Sequence, residues 1–379
     1  MRLERATRAP EPRQHPRTAL ARFLFSVAPL VLSSVFLRQP LRADPHIASE
    51  KAMNSFVVSA VVSAAAISGS SLAQSAAVVG WGRNDQGQLA TPAALKSPVQ
   101  VSAGLYHSSA IGADGRAIAW GWNASGQATV PADLGIVRQV AAGYTHSVAL
   151  TQAGRVRCWG SDAEGQCSVP SDLQLARSIG VGDDFTLAVT GDGTVRAWGR
   201  GVEGQTAVPQ GLAGVVDATG GHAHVLARRA DGTVVAWGGN DFGESTVPAR
   251  LTGVTQVVAG AWHSIALKAD RTVVCWGRDE YGQRAVPSDL GPVVAISGDR
   301  GNTSVALLED GSVRVWGRWN ATYSATPPSA PQRWRAISSG GYHAIGIPDV
   351  PSCSGDVTSD GSIDGNDLAI ILSNWGACP

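Results

Sequence analysis

The pair Trp-Gly recurs at residues 81, 120, 159, 198, 237, 276 and 316, in steps of 39, 39, 39, 39, 39 and 40 residues. A fixed period of this length means one supersecondary unit copied seven times, each copy unable to bury its own apolar face without its neighbours. The chain is therefore a repeat architecture before it is anything else, and every other feature is read against that period.

Superposing the copies shows what the shared backbone dictates. Three residues before each Trp stand Val78, Ala117, Val156, Val195, Val234, Val273 and Val313, and one residue before it stands a small side chain such as Gly80, Ala119, Cys158 or Cys275. Alternation with period two places these on one strand face, which is expected to be fully buried. The Trp side is more tolerant and carries Arg157, Arg196 and Arg314, explained here by an arginine stem lying along an indole. Upstream comes a tight turn, Asp114-Gly115, Asp192-Gly193, Asp231-Gly232 or Asp310-Gly311, a hairpin signal because such turns need positive φ. The strand before that turn repeats Ala110, Ala149, Ala188, Ala227, Ala266 and Ala306, ending with Gly346. Small residues there imply strands crowding toward a central axis.

Each copy thus encodes three short strands, with room for a fourth and no helix, which is a propeller blade. The fold class is all-β, a seven-bladed β-propeller over residues 76–348. Its copies are out of phase with its ends: it opens on a Trp strand and closes on an Ala strand. Pairing those two strands closes the ring and removes two exposed edges.

Before the propeller, residues 1–75 read as an N-terminal extension. Met53 precedes an apolar, small-residue run over 56–73 with a cleavage site at Ser71-Leu72-Ala73, so a secretory signal starting at Met53 is expected, and with it a secreted or envelope location. A second apolar stretch, 23–37, is too short for a comfortable span and contains Pro29, so the mature chain is expected to lack a membrane span. Formal net charge is zero, which argues against nucleic acid as the partner. Of the five cysteines, Cys353 and Cys378 bracket the C-terminal module as an expected disulfide. Cys158 and Cys275 fit small core positions, and Cys158 could also reach Cys167 within one repeat.

The pattern Trp-Gly, Asn, Gly-Gln, Val-Pro, Gly-x-x-His-Ser-x-Ala-Leu, seen at Asn84, Gly87 and Gln88 and at Gly260, His263, Ser264, Ala266 and Leu267, resembles the repeat of the chromosome-condensation-regulator family. The short spacing is similar to secreted bacterial members, above all the propeller-type β-lactamase inhibitors. That resemblance implies a target-binding face on the loops after the repeat glycine. The matching positions hold Tyr106, Tyr144, Asp183, Asp184, His222, Trp262, Asp299, Arg300 and Tyr342. Aromatic anchors with interspersed charge have the composition of a binding hot spot. Acidic residues replace aromatics in the loops at 182–185 and 298–303, a departure from the inhibitors that bears on the identity of the target.

His107, His146, His224, His263 and His343 occupy equivalent positions in different copies. They are expected to make one repeated structural hydrogen bond, with neither catalysis nor a metal cluster, because no nucleophile or base recurs beside a single one of them. The Asp183-Asp184 pair reads as solvated rather than as a spaced acid and base. The chain is expected not to be an enzyme.

Residues 349–379 form a separate module. Asp356, Thr358, Asp360, Asp364 and Asp367 fall at loop positions 1, 3, 5, 9 and 12, with Gly361 at 6 and the Ser362 carbonyl at 7, the oxygen set a calcium ion needs. The loop resembles a single type I dockerin repeat, with Thr358 as a poorer ligand than Asn or Asp and one loop where dockerins usually carry two. Three functions follow as expectations: a secreted protein-binding propeller with a calcium-stabilised attachment module; an inhibitor of an extracellular enzyme such as a β-lactamase; or an accessory of a polysaccharide-degrading assembly, recruited by a cohesin-like partner or cell-surface polysaccharide.

Overall fold

A computed structural model describes residues 78–298, 300–318, 326–329 and 333–349. The chain divides into units 1–70 and 71–379, and the first lies wholly outside the described residues, as do the calcium loop and the Cys353–Cys378 pair.

Strand β1 (Val79–Gly82) comes first. Six blades follow, each of three antiparallel strands. Blade 1 is β2 (Gln100–Ala103), β3 (His107–Ile111) and β4 (Ala117–Gly121); blade 2 is β5 (Val137–Ala142), β6 (His146–Thr151) and β7 (Val156–Gly160). Blade 3 is β8 (Ala176–Val181), β9 (Phe185–Thr190) and β10 (Val195–Gly199); blade 4 is β11 (Val215–Gly220), β12 (His224–Arg229) and β13 (Val234–Gly238). Blade 5 is β14 (Val254–Ala259), β15 (His263–Lys268) and β16 (Val273–Gly277), and blade 6 is β17 (Val293–Gly298), β18 (Thr303–Leu308) and β19 (Val313–Gly317). Blade 7 joins β20 (Trp334–Ser339) and β21 (His343–Pro348) to β1, with Val79 opposite Gly346 and Gly82 opposite His343. The first and last strands of the propeller therefore complete one sheet, as the phase of the repeats requires. No helix occurs among the described residues.

The first strands of consecutive blades touch in sequence from β2 round to β20, and β20 touches β2. These seven strands enclose a cavity of about 230 Å³. The alanine strands are not the ones at the axis; they are the middle strand of each sheet. Their small side chains have another cause. Ala110, Ala149, Ala188, Ala227, Ala266 and Ala306 are fully buried in the cores between blades, each core shared with the Trp of the same blade. In blade 7, where the first strand carries Trp334, even alanine is excluded: a Cβ on Gly346 would meet the Trp334 ring at 2.5 Å.

Seven such cores lie between neighbouring blades, so each sheet is buried by its neighbours rather than by itself. The seven Trp side chains of the repeat are at most 8% exposed. The opposite face of the same strands is not fully buried as expected: Gly80, Ala119, Ala197 and Ala236 are half-buried. Sheets diverge away from the axis, and a side chain as large as indole closes that gap where alanine does not. The arginines two residues before Trp have carboxylate partners. Arg157, Arg196 and Arg314 reach Asp133, Asp172 and Asp289 at 3.0, 2.9 and 2.7 Å, pairing with the segment that leads into their own blade. Cys158 and Cys167 form a disulfide from β7 to the loop after it, and Cys275 is a core thiol whose pKa burial pushes up to about 12.

Candidate functional site

The loop between first and second strand and the residue after Trp-Gly meet on one face of the ring. The Arg83 N–H donates to the Tyr342 carbonyl at 2.8 Å, Trp122 to Tyr106 at 2.9 Å, Arg200 to Asp184 at 2.9 Å and Arg278 to Trp262 at 2.8 Å. Neighbouring loops are also tied in succession: Leu105 N–H to Gly143 O, Tyr144 to Asp183, Asp183 to Gly221, and His222 to Ala261, at 3.1 to 3.2 Å. Glycine begins these loops because the ring three residues on comes so close, joined at Gly104, Gly221 and Gly340 by the next loop's backbone. A Cβ on Gly340 would stand 2.1 Å from the Gly104 carbonyl oxygen. The face is preorganised, which lowers the ordering cost of binding.

Beneath it, the recurring histidines do what their repetition implies. His107 Nε2 lies 2.9 Å from Ser147 Oγ in the next blade, and the same contact joins His146 to Thr186, His224 to Ser264, His263 to Ser304 and His343 to Ser108, at 3.0 to 3.2 Å. All five hydroxyls, Ser108, Ser147, Thr186, Ser264 and Ser304, donate to the carbonyl oxygen of Gln88, Gln127, Gln166, Glu244 or Gln283, which also accepts the Trp Nε1–H. With its proton so committed, the hydroxyl can only accept from the imidazole, so Nε2 carries the hydrogen. Burial lowers these imidazole pKa values to about 3 or 4 and keeps the rings neutral. They are scaffold.

The residues expected on the binding face all lie in these loops, and they fall into three groups. Tyr106, Tyr144 and Tyr342 belong to one aromatic cluster: Tyr106 meets Tyr144 edge-on at 6.4 Å and Trp122 at 5.8 Å, and the Arg83 guanidinium sits 4.7 Å from the Tyr106 ring and 5.9 Å from Tyr342. Trp262 and His222 belong to a second, with ring centroids 5.1 Å apart, joined by Phe242 at 6.5 Å from Trp262. Arg278 lies between 5.0 and 5.5 Å from the rings of Phe242, Trp262 and Tyr281. Asp299 lies outside the described residues.

Asp183 and Arg300 form the third group, and here the reading of a solvated acidic pair is wrong. Asp183 is only 8% exposed. Arg300 Nη1 donates to its Oδ1 at 2.5 Å from three blades away, and His222 Nδ1 lies 2.7 Å from Oδ2. Burial would raise the Asp183 carboxyl pKa, but the His222 hydrogen bond and the Arg300 charge outweigh it and hold it below its usual value. The same hydrogen bond raises the His222 pKa. Asp184 points elsewhere and is half-buried; burial first, then the neighbouring Asp183 charge, raises its pKa. His222, oriented by a carboxylate, has the posture of a base, yet no cysteine or hydroxyl nucleophile is placed beside it by any hydrogen bond among the described residues. No group of three or more metal-binding side chains occurs among them either.

Arg83, Trp122, Phe242, Arg278 and Tyr281 complete the two clusters and were not singled out from sequence. Phe242 and Tyr281 had a signal: they stand where other copies carry Gln86, Ser125, Glu164 or Glu203, and an aromatic side chain in a polar loop needs a reason.

Fold and face together define a seven-bladed β-propeller with a preorganised loop surface and repeated scaffold histidines. Its repeats are RCC1-like: residues 99–127, 137–166, 176–205 and 254–283 match the model of the regulator of chromosome condensation (RCC1) repeat. No curated protein matches the chain. Among solved structures it is similar to Prp20p from Saccharomyces cerevisiae, at 16% identity and a TM-score of 0.62 over 79% of this chain and 95% of that one. Human WBSCR16 is similar at 18% identity and 0.60, over 72% and 100%, and the ectodomain of the Arabidopsis thaliana receptor kinase ACR4 at 23% and 0.54, over 67% and 90%. At such identities the likeness is one of fold.

Proposed function

We propose that this chain is a non-catalytic, exported propeller that captures a protein partner on its loop face. The observation carrying this reading is the pair of half-buried aromatic–arginine clusters, with Phe242 and Tyr281 exposed, on a surface already ordered in the free protein. Trp, Tyr and Arg dominate binding hot spots, and a fixed backbone spares the partner the ordering cost. The structure of Prp20p, a protein of the same fold, is reported together with its binding to Gsp1p and histones, which supports a protein-binding use of the fold.

Export and the calcium-holding tail through Asp356, Thr358, Asp360, Ser362, Asp364 and Asp367 belong to the proposal on the strength of their spacing in the sequence. Titration of the full chain with calcium, read by calorimetry, checks the tail. For the face, the full chain is immobilised and exposed to the secreted proteins of its own source. Trp262→Ala and Tyr342→Ala should each weaken capture by about 2 kcal/mol or more with the melting temperature of the propeller retained. Capture unchanged by both substitutions would remove the face from the function. Assay against a panel of β-lactamases then decides whether the partner is an enzyme being inhibited.

A further inference from the structure

Charge on the propeller is unevenly divided. Over the described residues arginine and lysine balance aspartate and glutamate, 21 against 21. On the loop face they do not. Five of its six arginines are cancelled there: Arg83 by Asp85, Arg200 by Glu203, Arg278 by Glu280, Arg284 by Asp279 and Arg300 by Asp183. What is left is Arg318 against Asp162, Glu164, Asp184, Asp241 and the buried Glu244. The excess carboxylates belong to blades 2, 3 and 4, whereas Arg318 follows the outer strand of blade 6. The opposite end of the molecule carries the compensating positive charge.

We infer that the sector of the loop face over blades 2 to 4 docks a lysine- or arginine-rich segment of the protein partner, with Asp184 and Glu164 receiving its cations and the neighbouring Tyr144 ring covering their stems. This rests on the protein-binding reading above and names the chemistry of what that face takes.

Asp184 is the centre of the sector. It is half-buried and lies close enough to Asp183 and Glu164 to feel the charge of both, yet no cation lies within salt-bridge distance of it among the described residues. Arg300 and Arg200 act on it only from beyond salt-bridge distance and less than burial and the Asp183 charge do. The carboxylate has thus lost hydration without a counter-charge in contact, a cost that an incoming ammonium or guanidinium relieves. Its own backbone is fixed, because its carbonyl accepts the Arg200 N–H and the preceding Asp183 is held by Arg300 and His222. The Tyr144 ring, close enough to feel the Asp184 charge, suits the same occupant: long basic side chains lie along aromatic faces while their heads reach a carboxylate. Val202, 79% exposed on the same sector, adds apolar surface for those stems.

The test uses the full chain and two labelled peptides, hexa-arginine and hexaglutamate, followed by fluorescence anisotropy near neutral pH at low and at raised salt. Hexa-arginine should bind and hexaglutamate should not, and added salt should weaken the binding. The double variant D184N/E164Q should bind hexa-arginine about tenfold more weakly, equivalent to one well-placed charge pair lost at a factor of ten per 1.4 kcal/mol. Its melting temperature should be unchanged or raised, since neutralising Asp184 removes a repulsion. Glu309→Gln, at the opposite end of the propeller, should bind as the parent does. Equal binding of both peptides, no binding of either, or a double variant indistinguishable from the parent would overturn the inference. If the basic peptide fails while partner capture still depends on Trp262, this inference falls and the protein-binding reading stands; if both fail, both fall.

Discussion

Phe185 and Val225 face one another in the core between blades 3 and 4, at the two positions where five other joints place a histidine and a hydroxyl. The register is the same in each case: Phe185 lies opposite Gly199 as His107 lies opposite Gly121, and Val225 lies opposite Trp237 as Ser108 lies opposite Trp120. The joint between blades 6 and 7 departs in the same paired way, with Thr303 in the histidine place and Ala344 in the hydroxyl place. Both members of a pair change together because a histidine without its hydroxyl would strand a buried N–H.

That pairing makes a double-mutant cycle informative. Phe185→His alone buries an imidazole N–H against Val225 and should cost about 2–4 kcal/mol, the sum of lost apolar burial and an unmet donor. Val225→Ser alone should cost less, since its hydroxyl can still donate to the Gln205 carbonyl that already accepts from Trp237. The double variant should recover about 1–2 kcal/mol relative to the sum. Urea unfolding midpoints measure all four corners, and strict additivity would show that the two positions do not communicate.

The five scaffold histidines set the acid limit of the protein. Their folded pKa values are depressed to about 3 or 4 while the unfolded chain titrates near 6.5, so below that pH the unfolded state binds more protons and folding weakens. Each imidazole removes up to about 1.4 kcal/mol per pH unit in that window. His222 acts with the opposite sign: its raised value gives stability that is present below 6.5 and lost as pH rises through its folded pKa. Five against one, the unfolding midpoint should fall steeply between about pH 6.5 and 4.5. A midpoint flat over that range would mean the rings are protonated in the fold.

What was legible in the sequence was what each copy settles within itself. The Trp period, the Asp-Gly turns and the phase of the ends specify three strands per blade and a closing sheet, because turn chemistry and alternation are local. Which strand lies at the axis was not legible: small residues at Ala110 and its equivalents sit in a core with the indole of the neighbouring strand, not at the centre. Asp183 is the sharper case. Its burial depends on Arg300, 117 residues away, and nothing in the dipeptide Asp183-Asp184 distinguishes the paired carboxylate from the unpaired one. The aromatic clusters were half legible for a related reason, since each is assembled from rings on adjacent blades and only one of their two loops carried a recognisable motif.

Arg271 holds φ of 66° in the hairpin turn where Gly115, Gly193, Gly232 and Gly311 hold the same conformation. A side chain there costs about 1–2 kcal/mol that glycine does not incur. Against this, Arg271→Gly loses an exposed ion pair with Glu309 and gains unfolded-state entropy, together about 1 kcal/mol. Arg271→Gly should therefore raise stability by about 0.5 kcal/mol, visible as a higher urea midpoint with an unchanged slope. A lower midpoint would place more weight on the Glu309 contact than exposure allows.

Closure of the ring rests on four residues of β1 that are distant in sequence from the sheet they complete. Without them β21 loses its outer partner from His343 to Gly346, and Trp334 loses the Trp81 ring 5.3 Å away. Trp81 is also part of the core that holds blade 6 against blade 7, with Leu307 and Ala344. Trp81→Ala should cost about 3–5 kcal/mol for the cavity alone. Amide hydrogen exchange should speed up first in β20, β21 and β19, because adjacent blades share the damaged core, and only later in blades 2 to 4 on the far side of the ring. Uniform acceleration around the whole propeller would instead mean that the ring opens as one cooperative unit, and no acceleration in β21 would mean that β1 does not close it.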